Sequence, residues 1–182
     1  MIDYIKSDLY RYYGDTSLKS FIKGYLTNRS FNFTFWLRLA NKNSPVNKFA
    51  LPIYYYKRVT YGIDISHKMQ LGYGLYIGHG GPLVVNSTAI IGNNVNLSQY
   101  TSIGANSGKA AIIGDNVYIG PNVCVIENVS IGNNATIGAG SVVTKDIPAD
   151  ATAVGNYAKV VNFNHPAQYI GNKWVLKKTN YN

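Results

Sequence analysis

The sequence predicts a mainly β fold: a solenoid of short strands wound in triangular coils, preceded by a short helical segment. Three observations carry that expectation. Aliphatic residues open six-residue units from Ile65 to Val143. A turn-tolerant Gly, Asn or Asp follows three places later in nearly every unit. Residues 1 to about 60 lack both features and are instead rich in Tyr, Phe, Lys and Arg. The length of 182 residues suits one ordinary domain with an appended segment.

The leading segment reads as helix from its caps and spacing. Asp15 or Thr16 stands where a cap is needed ahead of SLKSFIKGYL, because a short polar side chain accepts from an N–H that the first turn leaves free. SFNFTFWLRLANK starts a second helix and KFALPIYYYKRVT a third, with Pro52 in its first turns or breaking it. Tyr54, Tyr55 and Tyr56 either pack these helices against the next region or offer faces on which a sugar stacks.

The repeating units open at Ile65, Leu71, Ile77, Leu83, Ile91, Leu97, Ile103, Ile113, Ile119, Val125, Ile131, Ile137 and Val143. Gly and Asn accept the positive φ of a sharp corner. The aliphatic side chain points inward and stacks on its equivalent one coil along. Three units close a triangle of about 18 residues, so each coil buries its neighbour's face. This is a hexapeptide β-helix. Two spacings are longer: Leu83 to Ile91 takes eight residues and Ile103 to Ile113 takes ten. They place loops near Asn86 to Ile90 and at ANSGKAAI. After Val143 the pattern gives way to TKDIPADATAVGNYAKVV and a polar, aromatic tail that folds back over the coils or onto a neighbour. The expected organisation is a mostly helical segment over 1–61, the solenoid over 62–155 and a tail over 156–182.

Composition narrows the function classes. A net charge of +9 suits anionic partners such as phosphorylated cofactors or acidic glycans. The cations are spread out, clustering only at Lys57-Arg58 and at Lys173, Lys177 and Lys178, and no nucleic-acid motif accompanies them. Nucleic acid is therefore not an expected partner. The single cysteine, Cys124, excludes an internal disulfide and a cysteine-based metal site. No apolar run reaches the roughly 18 residues of a membrane span, and MIDYIKSDLYRYYGD does not read as a leader peptide, so a cytoplasmic location is expected.

One stretch interrupts the regularity. LYIGHGGPLVVN, residues 75 to 86, sets a lone His79 between glycines. A histidine there is either a packing detail or the centre of the chemistry.

The run GIDISHKMQLGYGLYIGHGGPLVVNSTAIIGNNV, with the closing IGAGSVVTKDIPADATAVGNYAKVV, resembles the hexapeptide acyltransferases and, within them, the serine acetyltransferase-like branch. The resemblance spans about residues 60 to 161. It implies a left-handed parallel β-helix that assembles as a homotrimer, with active sites between subunits and acetyl-CoA as acyl donor. No metal is implied: a zinc site of the related carbonic-anhydrase-like solenoids needs three histidines, and His165 of the three present lies in the tail.

Acetyl transfer from a thioester to a hydroxyl needs a base for the hydroxyl proton, donors for the tetrahedral oxyanion and a groove for CoA. The branch's catalytic histidine falls at His79, a residue type whose proton affinity suits a general base near neutral pH. Asp64 lies fifteen residues earlier, where the family pairs an aspartate with its histidine, so it is expected to orient the imidazole and stabilise its cation. Gly104 and Ala105 match the thioester end, where a backbone N–H serves the oxyanion. Gly120, Gly138 and Ala139 match positions along the pantetheine arm, and Lys145 with Lys159 is expected at the CoA phosphates.

The acceptor departs from the branch's usual pattern. Serine acetyltransferases carry a longer loop ending in an Arg-His pair that grips the amino-acid carboxylate, and an aspartate directly before the histidine. Here the loop is ANSGKAAI and the preceding residue is Gly78. The expectation is therefore transfer to a sugar hydroxyl of a bacterial surface polysaccharide or its precursor, with peripheral membrane association through a lipid-linked acceptor. The alternative is serine O-acetyltransferase; a third reading is a non-catalytic scaffold.

Overall fold

The structure is a computed structural model that describes residues 1–176. Four helices come first: α1 (Ile2–Tyr13), α2 (Leu18–Thr27), α3 (Arg29–Leu39) and α4 (Asn47–Tyr61). Ser17, not Asp15 or Thr16, is the cap of α2; its side chain accepts from the Ser20 N–H, while Asp15 steadies the turn by accepting from the Ser17 N–H. Pro52 lies inside α4 on its exposed side, and the helix continues through it. α1 is an element the spacing of the N-terminal residues did not announce.

The rest of the described chain is a parallel solenoid with three walls. The first wall stacks β1 (Ile63–Ile65), β4 (Leu83–Val85), β7 (Ser102–Gly104), β10 (Cys124–Ile126) and β13 (Val142–Val143). The second stacks β2 (Gln70–Leu71), β5 (Ile90–Ile91), β8 (Ile112–Ile113) and β11 (Ser130–Ile131). The third stacks β3 (Tyr76–Ile77), β6 (Asn96–Leu97), β9 (Tyr118–Ile119), β12 (Thr136–Ile137) and β14 (Thr152–Val154), with β15 (Lys159–Asn162) added antiparallel at its end. Ile65 pairs with Val85, Val85 with Ile103, Ile103 with Val125 and Val125 with Val143, so successive coils advance by 20, 18, 22 and 18 residues.

That register corrects the position of one loop. Val85, not Leu83, is the equivalent of Ile65 and Ile103. The two extra residues therefore fall before β4, in the corner that holds His79, and not at Asn86 to Ile90. Periodicity alone misses this because Leu83 and Val85 are both buried. The second insertion, after Ile103, lies where the spacing put it.

The corners explain the Gly and Asn positions. Asn94, Asn116 and Asn134 all have positive φ between the second and third walls, and their side chains form a ladder: Asn94 donates to Asn116, Asn116 to Asn134 and Asn134 to Asp150. Gly92 is small for another reason. A Cβ there would stand 2.6 Å from the carbonyl carbon of Gly114 on the next coil, whereas one on Gly104 would meet nothing within 4 Å. Gly92→Ala is accordingly expected to cost about 1–3 kcal/mol in thermal denaturation, and Gly104→Ala close to nothing.

The first coil has no coil before it, so its edge groups need partners from elsewhere. α1 and α3 supply them. Gly74 N–H donates to Ser7 Oγ at 2.9 Å, Leu75 N–H to Asp8 Oδ1 at 2.8 Å and Ile77 N–H to the Tyr12 hydroxyl at 2.9 Å. Arg38 donates to the carbonyls of Leu71 and Gly72 and holds Asp8 at 2.8 Å; Asp8 is fully buried, and burial pushes its carboxyl above the usual range despite Arg38. Arg11 bonds Gly74, Asn96 and Gly171, and burial lowers its guanidinium to about 10.

The tail lies back along the third wall, as the sequence suggested. Ala167 N–H bonds Asn134, Asn96 bonds the Tyr169 carbonyl, and Trp174 exchanges two hydrogen bonds with Asn94. Lys177 and Lys178 lie outside the described residues. Among the described residues the tail does not cross the first wall, whose outward row runs Asp64, held by Arg58 of α4, then Val84, Ser102, Cys124 and Val142.

Candidate active site

His79 occupies the corner that leads from the third wall to the first. The Gly78 N–H still bonds Leu97 at 2.8 Å and so keeps the ladder up to that point. His79 and Gly80 then both take left-handed conformations, φ 58° and 56°, and the chain turns sharply. For a residue with a Cβ that conformation costs about 1–2 kcal/mol. The imidazole is exposed. The corner rests against Arg29 and Ser30 at the start of α3, which fill the space a Cβ on Gly80 would need.

A cleft of about 320 Å³ opens beside the imidazole. Its floor is the third wall, with Tyr76, Asn96, Ser98 and Tyr118, and its far side is built by Arg11 and by Tyr169 of the tail. The Tyr118 and Tyr169 rings lie 4.9 Å apart. Sequence reasoning named none of these residues as site residues. Tyr76 and Tyr118 precede the inward aliphatic in their units and so point outward, which is a readable signal; Arg11 and Tyr169 are brought in only by the docking of α1 and the tail.

Among the described residues Asp64 is bonded to Arg58 and not to His79. It lies on β1, where Arg58 grips it at 2.6 Å and 2.9 Å, and it lines a separate cleft with Tyr55, His67, Lys68 and Asn86. Both partners of that pair are roughly 40% exposed, at 36% and 43%. Desolvation, then Lys68 and Arg58, lowers the His67 imidazole below its ordinary range.

The other sequence-derived positions fall on two different edges of the first wall. Gly120 and Gly138 continue the ladder of Gly78 and Ser98 on the His79 edge, with Ala139 next to them. Their lack of a side chain has a packing cause as well: a Cβ on Gly138 would stand 2.7 Å from Val154, and one on Gly120 would stand 2.9 Å from Ala139. Gly104, Ala105 and Lys145 lie on the opposite edge, about 10 Å away across a strand of three residues. Gly104 has open space in front of it, so packing within the chain does not demand a glycine there. Lys159 begins β15 beside Val154, and both lysines are exposed. One chain therefore cannot place the His79 edge and the Gly104 edge on the same thioester.

Comparison with known proteins gives a consistent set of relatives. Residues 110–145 match the bacterial transferase hexapeptide (six repeats) family. Serine acetyltransferase 4 of Arabidopsis thaliana is 31% identical over 154 residues, covering 78% of this chain and 40% of that protein. The crystal structure of Neisseria gonorrhoeae serine acetyltransferase in complex with serine superposes with a TM-score of 0.74 at 32% identity, over 86% of this chain and 67% of that one. Serine acetyltransferase from Brucella abortus strain S19 in complex with coenzyme A also gives a TM-score of 0.74, at 27% identity, over 87% and 66% of the two chains. The chain spans less than half the length of the curated relatives it matches.

Proposed function

The chain belongs to the hexapeptide-repeat transferase family and has serine acetyltransferases as homologues, and from that premise we propose that it moves an acetyl group from acetyl-CoA to a hydroxyl oxygen with His79 as general base. The observation that carries this reading is local. An imidazole held in a left-handed turn, flanked by glycines and exposed at the mouth of a cleft, sits where an alcohol and a thioester can both reach it. Gly104 and Ala105 of a neighbouring copy would serve the oxyanion, and Gly120, Gly138 and Ala139 would border the pantetheine arm, with Lys145 and Lys159 at the phosphates. The first wall is the face on which three copies would meet. Asp64 would orient the imidazole after exchanging Arg58 for it.

L-Serine is the acceptor that the relatives favour, since the proteins matched are serine acetyltransferases and two of the solved structures hold serine. A sugar hydroxyl is the second reading, and two observations favour it. Residues 105–111 contain Lys109 as their sole charged side chain, and Gly78 precedes His79, so the carboxylate clamp of the serine enzymes is missing. The cleft beside His79 is also walled by tyrosines and an asparagine, groups that suit a pyranose ring. Acetyl-CoA turnover with L-serine, sugar nucleotides and oligosaccharides separates the two. We expect transfer to one acceptor class and a particle of three chains by analytical ultracentrifugation; a monomer that turns over would remove the intersubunit site.

A further inference from the structure

The helical segment carries a charge pattern that the acetyl-transfer chemistry does not use. Between Asp15 and Asp64 there is no acidic residue, while Lys19, Lys23, Arg29, Arg38, Lys42, Lys48, Lys57 and Arg58 contribute eight cations, nearly the whole net charge of +9. Arg38 is committed to Asp8 and Arg58 to Asp64, which leaves six without an acidic partner in the described structure.

The same segment exposes apolar stripes at helical spacing. On α4 the stripe is Phe49, Ile53, Tyr56 and Val59, continued by Val46 at its N-cap, with Phe49 83% and Val59 80% exposed. On α2 it is Leu18, Ile22 and Leu26, with Leu18 and Leu26 both 73% exposed. Leu26 and Arg29 share a surface cavity with Lys57 and Tyr61, so the C-terminal ends of α2 and α4 border the same cavity. Arg29 also supports the corner that holds His79.

We propose that α2 and α4 form a docking surface for an anionic lipid bilayer, holding the His79 corner close to the membrane plane. Apolar side chains ringed by lysines are the pattern of a helix lying in the headgroup region, with the apolar face in the acyl boundary and the cations at the phosphates. A second copy of the chain is the competing occupant of this face. It fits less well, because a symmetric contact would bring two acid-free segments of eight cations each together, and like charges repel. The inference stands independently of which alcohol is acetylated.

The test is sedimentation of the full chain with vesicles of phosphatidylcholine alone and of phosphatidylcholine containing phosphatidylglycerol. The chain should pellet with the anionic vesicles, stay in the supernatant with the neutral ones, and be released by salt. Removing one exposed cation, as in Lys42→Gln or Lys48→Gln, should weaken partition about fivefold. Phe49→Ser with Val59→Ser should abolish it, with circular dichroism unchanged because both side chains are exposed. Three results would overturn the proposal: no pelleting with anionic vesicles, wild-type partition by the stripe variant, or a changed lipid-free sedimentation coefficient for that variant, which would give the face to a second copy.

Discussion

His79→Ala is expected to lower kcat for acetyl transfer by about 10²- to 10⁴-fold, with little change in the KM for acetyl-CoA. The expectation follows from position. The imidazole is exposed at the mouth of the cleft and has no packing duty that alanine would disturb. His79→Asn separates turn from chemistry, since asparagine tolerates the left-handed conformation seen at φ 58° but cannot take the proton. Both variants should fold and assemble like the parent, and both should show that loss of kcat in a steady-state assay. Full activity in either would remove His79 from the reaction. Asp64→Asn tests the orienting role: a smaller loss confined to kcat is expected if the carboxylate trades Arg58 for the imidazole during turnover.

Asp8→Ala should be the most destabilising single change at the base of the solenoid. It leaves the Arg38 guanidinium buried without its anion and the Leu75 N–H without its acceptor. Loss of one partner from a buried ion pair costs about 3–5 kcal/mol, which for a chain of this size is of order 10 °C in Tm. Asp8→Ala combined with Arg38→Met should recover part of the loss, because an apolar replacement of both partners strands neither charge. Differential scanning calorimetry of the single and double variants checks this. Equal loss in both would mean that the bonds to the Leu75 N–H and to the Leu71 and Gly72 carbonyls, and not the ion pair, carry the contribution.

The candidate site was only partly legible in the sequence. His79 stood out because it broke a glycine-rich unit, and its corner has the left-handed backbone that such a unit implies. The pairing with Asp64 was read from a spacing of fifteen residues, but the spacing cannot see Arg58, which reaches Asp64 from α4. Arg11 and Asp8 look like surface charges on a short amphipathic segment. They are buried because the first coil presents unpaired backbone groups to them.

By itself, the sequence determined the solenoid. Its six-residue step repeats the same inward aliphatic and the same corner residue on every side, so neighbouring coils dictate one another's structure without distant contacts. It also marked the corners between the second and third walls, at Gly74, Asn94, Asn116 and Asn134, whereas Asn106 and Asn128, read the same way, do not take positive φ and Tyr100 and Glu127 do. Tertiary structure alone decided the rest. The register placed the extra two residues at His79, because either of two buried side chains satisfied the period. The docking of α1 and of the tail closed one side of the cleft beside His79. Those outcomes depend on which unpaired edge groups and open faces meet in space, and periodicity carries no record of that.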